Sequence, residues 1–169
     1  MQLGNSLDFY TCFNIKAYCE AFFYGCTVQI ELLDEGIGFF DRHNISHRVH
    51  GGLKQYNAMN INQALAEYKT ENVFGVLGIT KQDIFPNIQS NYVYGLSNIG
   101  LRTAVISLKR LTVEFDNMGE AFSASPESYE QILLHRACNL AIHEISHIFG
   151  LYHCVHYECL LNGTNGPFE

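Results

Sequence analysis

His143-Glu144-Ile145-Ser146-His147-Ile148-Phe149-Gly150-Leu151-Tyr152-His153 is the stretch that decides the fold. On a helix, positions i and i+4 share one face, so the imidazoles of His143 and His147 converge on one metal ion. Glu144 projects beside them and reaches a metal-held water without ligating the metal. Gly150 follows three residues after His147. Glycine takes a positive φ readily and turns the chain out of the helix. His153 then arrives as a third ligand. Three neutral imidazoles leave one coordination position for water, as a catalytic zinc requires. Zinc lowers the pKa of such a water towards ~7. Glu144 is placed to take its proton and return it to a leaving amine. The eleven residues predict zinc-dependent hydrolysis of peptide bonds, with His143, His147 and His153 as ligands and Glu144 as base and acid.

Working outward, the motif ends a long predicted helix. Ser125 reads as its N-cap, Pro126 as its first residue and Gly150 as its stop, with Ile132, Leu133, Ala137, Leu140 and Ala141 as its apolar pattern. Further upstream, Val73-Phe74-Gly75-Val76-Leu77-Gly78-Ile79 is continuously apolar and suits a central strand covered on both faces. Asn91-Tyr92-Val93-Tyr94 and Thr103 to Leu108 read as two more strands, joined through Gly95 and Gly100. Thr27 to Leu32 alternates with period two and predicts a half-buried strand. Asn60 to Lys69 predicts an amphipathic helix with Ile61, Ala64, Leu65 and Tyr68 on one side. Residues 1 to 24 read as partly helical, Gly36 to Gly52 as a loop, and Thr80 to Pro86 as a turn or short helical connection. The expected class is α/β (α+β): a mixed sheet, backing helices and one long helix carrying the motif.

With 169 residues and 47% hydrophobic content, the chain is long and apolar enough for one folded domain. Its net charge of −7 gives no electrostatic footprint for nucleic acid or an anionic membrane. No apolar run reaches the ~20 residues that span a bilayer. The N-terminus lacks a basic region followed by an apolar stretch, so a cytoplasmic (or nuclear) protein is expected. On that view the sequons at Asn44 and Asn162 are chance matches, and the six cysteines are no disulfide framework. Cys12, Cys19 and Cys26 read as small buried hydrophobes.

Weaker signals have ordinary explanations. His43, His47 and His50 could form a second metal site, but histidines in a loop-like stretch are common. His135 and Cys138 read as packing residues. Asp83 reads as a cap or turn residue.

Beyond the third histidine the chain resembles the archaemetzincin family of the metzincin clan. The residues that carry the likeness are His153-Cys154-Val155-His156-Tyr157-Glu158-Cys159-Leu160-Leu161-Asn162, with further blocks at Phe74 to Pro86, Tyr92 to Leu96 and Val105 to Arg110. It covers roughly residues 20 to 162 and is closer to eukaryotic members. The resemblance implies a metzincin-like zincin fold: a twisted mixed sheet with backing helices over a cleft. Residues 1–150 would form the upper subdomain with the active-site helix, and 151–169 the start of a lower subdomain that is mostly missing. It also implies that an edge strand of the upper sheet, here Asn91, Tyr92, Val93 and Tyr94, pairs with extended peptide substrate. The family's methionine under the zinc is Leu161 here, an apolar substitute of similar volume. Family members join two motif cysteines to a later C-x-x-C pair around a second, structural zinc. Cys154 and Cys159 would be half of that site, so one Zn²⁺ per chain is expected. The competing expectation is a zinc-binding interaction or regulatory protein with little or no catalysis.

Overall fold

The run read as a central strand and the later strand run from Thr103 together become the centre of a four-stranded sheet. The computed structural model describes residues 2–3, 9–31, 33, 38–112 and 126–163. The sheet runs in the order β1 (Gln2–Leu3), β4 (Val76–Thr80), β7 (Thr103–Ser107), β6 (Gly95–Asn98). β1, β4 and β7 are parallel, and β6 lies antiparallel to β7 at the edge. A smaller sheet holds β2 (His47–His50), β3 (Leu53–Asn57) and β5 (Asp83–Phe85). The helices are α1 (Phe9–Phe22), the short α2 (Phe39–Arg42), α3 (Ala58–Leu65) with a 3₁₀ turn at Ala66–Tyr68, and α4 (Pro126–Ile148). This is the expected mixed α/β architecture with one long motif-bearing helix.

β7 shows why the middle of such a run is apolar. All five of its residues are buried. Val105 packs into a cluster with Ile61 and Leu65 of α3. The next residue, Ile106, packs on the other side with Ile15 of α1 and Ala141 and Ile142 of α4. Successive side chains leave a strand on opposite faces, so covering both faces favours apolar residues on each. The two polar ends, Thr103 and Ser107, donate to the backbone carbonyls of Asn62 and Gln82. α4 is therefore seated between the sheet and α1. No described helix is long and apolar enough to cross a membrane.

Local differences from expectation have identifiable causes. Thr27 to Glu31 is not a strand, and Leu32 lies outside the described residues. The alternation is real: Val28 and Ile30 pack on the core cluster. The segment forms no ladder, and the Val28 N–H instead donates to Glu20 Oε1 at 2.9 Å. The stretch read as a loop from Gly36 to Gly52 contains α2 and β2. β2 turns into β3 through Gly51 and Gly52, both at positive φ, the geometry of a tight hairpin. α3 starts two residues earlier than expected because the Asn57 side chain accepts from the Asn60 N–H at 3.1 Å and caps it. Ser125, the expected cap of α4, lies outside the described residues. Cys12 and Cys19 are buried as expected, whereas Cys26 is exposed. Burial, and then neighbouring Cys138, push the Cys19 thiol up to about 12.

Between Thr80, the end of β4, and Pro86 the chain bends at residues 81–82 and then forms a strand, which the reading as a turn or short helical connection missed: β5 pairs in parallel with β3. Asp83 lies within it, 2% exposed. Its carboxylate accepts from Arg110 Nε and Nη2, both at 2.8 Å, and from Gln55 Nε2 at 2.9 Å. Removing the buried carboxylate leaves half-buried Arg110 and buried Gln55 without their acceptor. Asp83→Ala should lower the free energy of unfolding by about 3 kcal/mol. Urea titration should show a lower midpoint at unchanged slope. An apolar pair, Asp83→Leu with Arg110→Met, should recover much of that loss.

Candidate metal centre

Three elements bring the histidines together. α4 supplies His143 and His147, with its axis fixed by the burial of Ala137, Ala141 and Ile142. Gly150, at φ +90°, ends the helix. The Gly150 N–H bonds the His147 carbonyl at 2.9 Å and the Leu151 N–H the Ser146 carbonyl at 3.1 Å, a Schellman turn. That turn swings His153 back towards the helix. The ring centroids of His153 lie 5.3 Å from His143 and 4.8 Å from His147.

The same turn and the chain after it set the tautomers. His147 Nδ1 lies 2.6 Å from the Leu151 carbonyl, and His143 Nδ1 lies 2.7 Å from the Leu160 carbonyl. A carbonyl only accepts, so both Nδ1 atoms carry the proton and both Nε2 atoms present lone pairs. Burial, above all, holds the His143 imidazole below the ordinary histidine range and hence neutral. The Leu160 carbonyl is held where the tail folds back, through Cys154 N–H to the Leu161 carbonyl at 2.8 Å.

The donor set fits zinc. His143, His147 and His153 each offer a ligand atom, all within 4.8 Å of one another, the one such group of three or more among the described residues. The Nε2 atoms of His143 and His147 are 3.0 Å apart. Two bare lone pairs at that distance repel unless a cation lies between them. Zn–N bonds of about 2.0–2.1 Å in tetrahedral geometry put neighbouring nitrogens about 3.3 Å apart, close to what is seen.

Glu144 stands beside them, 5% exposed. Burial pushes its carboxyl up to about 7, against a hydrogen bond from Ser97 that favours the ionised form. The Ser97 hydroxyl donates to Glu144 Oε2 and lies 2.9 Å from the Glu144 carbonyl oxygen. β6 passes so near that a Cβ on Gly95 would meet Glu144 Cγ and Cδ at 2.8 Å. Gly95 was read only as a joint between strands and Ser97 was not singled out, because the sequence has no local signal linking β6 to α4.

A cleft of about 1130 Å³ opens along this face. It holds the three histidines and Glu144 between α4 and the segment from Tyr92 to Ser97. Tyr92, Val93 and Tyr94 line it, but with Asn91 they form no strand; the edge strand is Gly95–Asn98. The reason is side-chain capture. The Asn91 carbonyl accepts from Arg48 and Gln55, at 2.8 and 2.9 Å, and Arg110 lies 3.8 Å over the Tyr92 ring. Leu160, not Leu161, lines the cleft beside the histidines. Cys154 is half-buried and Cys159 exposed. The backbone N–H groups of His156 and Tyr157 hold the Cys154 thiol below its usual range. His43 is occupied elsewhere, with Nε2 3.0 Å from the Tyr68 hydroxyl, and Cys138 packs in the core.

Known proteins resemble this chain. The family model described as Peptidase family M54 matches residues 25–166. The archaemetzincin of Pyrococcus abyssi is 34% identical over 78% of this chain and 73% of its own length. The chain belongs to peptidase family M54, the archaemetzincins. It is a family of zinc metallopeptidases. Mouse archaemetzincin-2 is 30% identical over 89% of this chain but 46% of its own length. The chain thus spans about half the length of the animal relatives it matches. The crystal structure of archaemetzincin from Methanopyrus kandleri has the same fold, with a TM-score of 0.68 at 21% identity, over 98% of this chain and 79% of that one.

His153→Ala should weaken Zn²⁺ binding by about a hundredfold or more in calorimetric titration, because two imidazoles cannot close the site. Gly95→Ala should leave zinc affinity near wild type while displacing the Glu144 carboxylate in a crystal structure.

Proposed function

We propose that this chain hydrolyses peptide bonds, with zinc held by His143, His147 and His153 and Glu144 as general base and acid. The observation that carries this reading is the pairing of two bare Nε2 atoms 3.0 Å apart with a buried carboxylate on the next residue of the same helix. When bound, zinc would supply a Lewis acid and an acidified water. Glu144 holds the proton released on attack and passes it to the leaving amine. A bound cation would also draw the Glu144 carboxyl back down towards the ionised form that a base needs.

β6 is suited to seat the substrate. The Ser107 N–H bonds the Tyr94 carbonyl at 2.8 Å, and Leu96 lies opposite Val105. In an antiparallel ladder this makes 94/107 and 96/105 the hydrogen-bonded pairs, so the backbone groups of Gly95 and Ser97 face away from β7. An extended peptide can pair with them and lie across the cleft. The peptide-pairing edge is thus assigned to Gly95–Asn98, with Tyr92, Val93 and Tyr94 as cleft wall. Cys154 and Cys159 are assigned as two ligands of a second site that needs two more.

Purified protein is expected to hold one zinc ion per chain by elemental analysis; two tightly bound ions would overturn the assignment. With zinc bound, wild type should cleave members of a peptide library. Glu144→Ala should lower kcat by roughly a hundredfold or more. Equal turnover by the two proteins would leave a zinc-binding module without catalysis.

A further inference from the structure

We propose that Ser97 is a positioning residue that ties the seating of substrate on β6 to the aim of Glu144; this rests on reading the site as a metallopeptidase centre. Glu144 is buried, so water does not fix its orientation. Among the described residues, Ser97 is the one donor to its carboxylate. The other carboxylate oxygen faces Gly95, where a side chain would collide with it. Gly95 and Ser97 are two apart on a strand and share the face turned to α4. One leaves the space that the carboxylate fills, and the other bonds it. The carboxylate is thereby held by β6 and not by its own helix.

The same two residues turn their backbone groups to the open edge. A peptide paired with Gly95 and Ser97 therefore registers its carbonyl against the strand that aims the base. Substrate position and base position share one rigid element, whose place is set from behind as well. Asn62 of α3, fully buried, donates to the Leu96 carbonyl at 2.9 Å. General-base catalysis depends on hydrogen-bond reach to the proton being moved, so an error near 1 Å costs about a hundredfold. A serine hydroxyl that removes this error acts through Glu144 without touching the reacting atoms.

The test is a double-mutant cycle on zinc-loaded protein with a cleaved library peptide. Ser97→Ala should lower kcat by about tenfold or more. KM should stay within about twofold and bound zinc should be unchanged, because the backbone edge and the three imidazoles remain. Ser97→Thr, which keeps the hydroxyl on a strand-favouring residue, should restore most of the rate. In a Glu144→Ala background, Ser97→Ala should cost nothing further. Equal losses in both backgrounds would mean that Ser97 is merely structural, and would overturn the proposal. A crystal structure of zinc-loaded Ser97→Ala gives a second readout, independent of activity. A displaced Glu144 carboxylate supports the proposal and an unmoved one sinks it. If wild type cleaves nothing, the metallopeptidase reading fails, while the crystal structure still decides whether Ser97 aims Glu144.

Discussion

Two imidazole nitrogens with bare lone pairs, held 3.0 Å apart, are the constraint around which this molecule is arranged. Nothing in the two side chains favours that approach. It persists because each ring is anchored through its other nitrogen to a backbone carbonyl, at Leu151 and Leu160. Those carbonyls exist in place because the helix ends in a Schellman turn and the tail then folds back over it. The helix in turn has one position, since Ala137, Ala141 and Ile142 are closed between α1 and the sheet. Small residues at the seam allow this close seating.

The carboxylate of Glu144 follows from the same geometry. It sits one residue after His143, on the side of α4 that faces β6. Burial there disfavours its charge, and the Ser97 hydrogen bond opposes burial. The edge strand approaches closely enough to do this because residue 95 has no side chain. Behind the edge, the ion pair of Asp83 and Arg110, with Gln55 and Arg48, fixes the chain that leads into the strand. These polar groups, of which Asp83 and Gln55 are buried, lie outside the metal site, yet they hold the segment that forms one wall of the cleft.

Sequence periodicity was a good guide where one element decides its own environment. α3, β4, β7 and α4 all lie within or close to the segments that their apolar patterns predict. It failed where a partner decides. Val28 and Ile30 point inward as the alternation requires, but a strand also needs a neighbouring backbone, and the Val28 N–H found Glu20 instead. Asn91 to Tyr94 carries strand-forming residues, but side chains from β2 and β3 capture the Asn91 carbonyl. β5 was missed because three residues carry too little pattern to separate a strand from a turn.

The sequence by itself determined the family and singled out the three histidines and the glutamate proposed here as ligands and base. Those depend on contacts within a few residues: an i, i+4 pair on one helix, a glycine that can reverse the chain, and a histidine three residues later. Spacing along the chain is then spacing in space. Only the tertiary structure decided which strand forms the edge, what aims Glu144, and that Asp83 is a buried ion-pair member and not a turn residue. Ser97 lies 47 residues from Glu144, and Asp83 lies 27 from Arg110. At such separations the identity of a serine or an aspartate says nothing of its partner, which is chosen by how the layers pack.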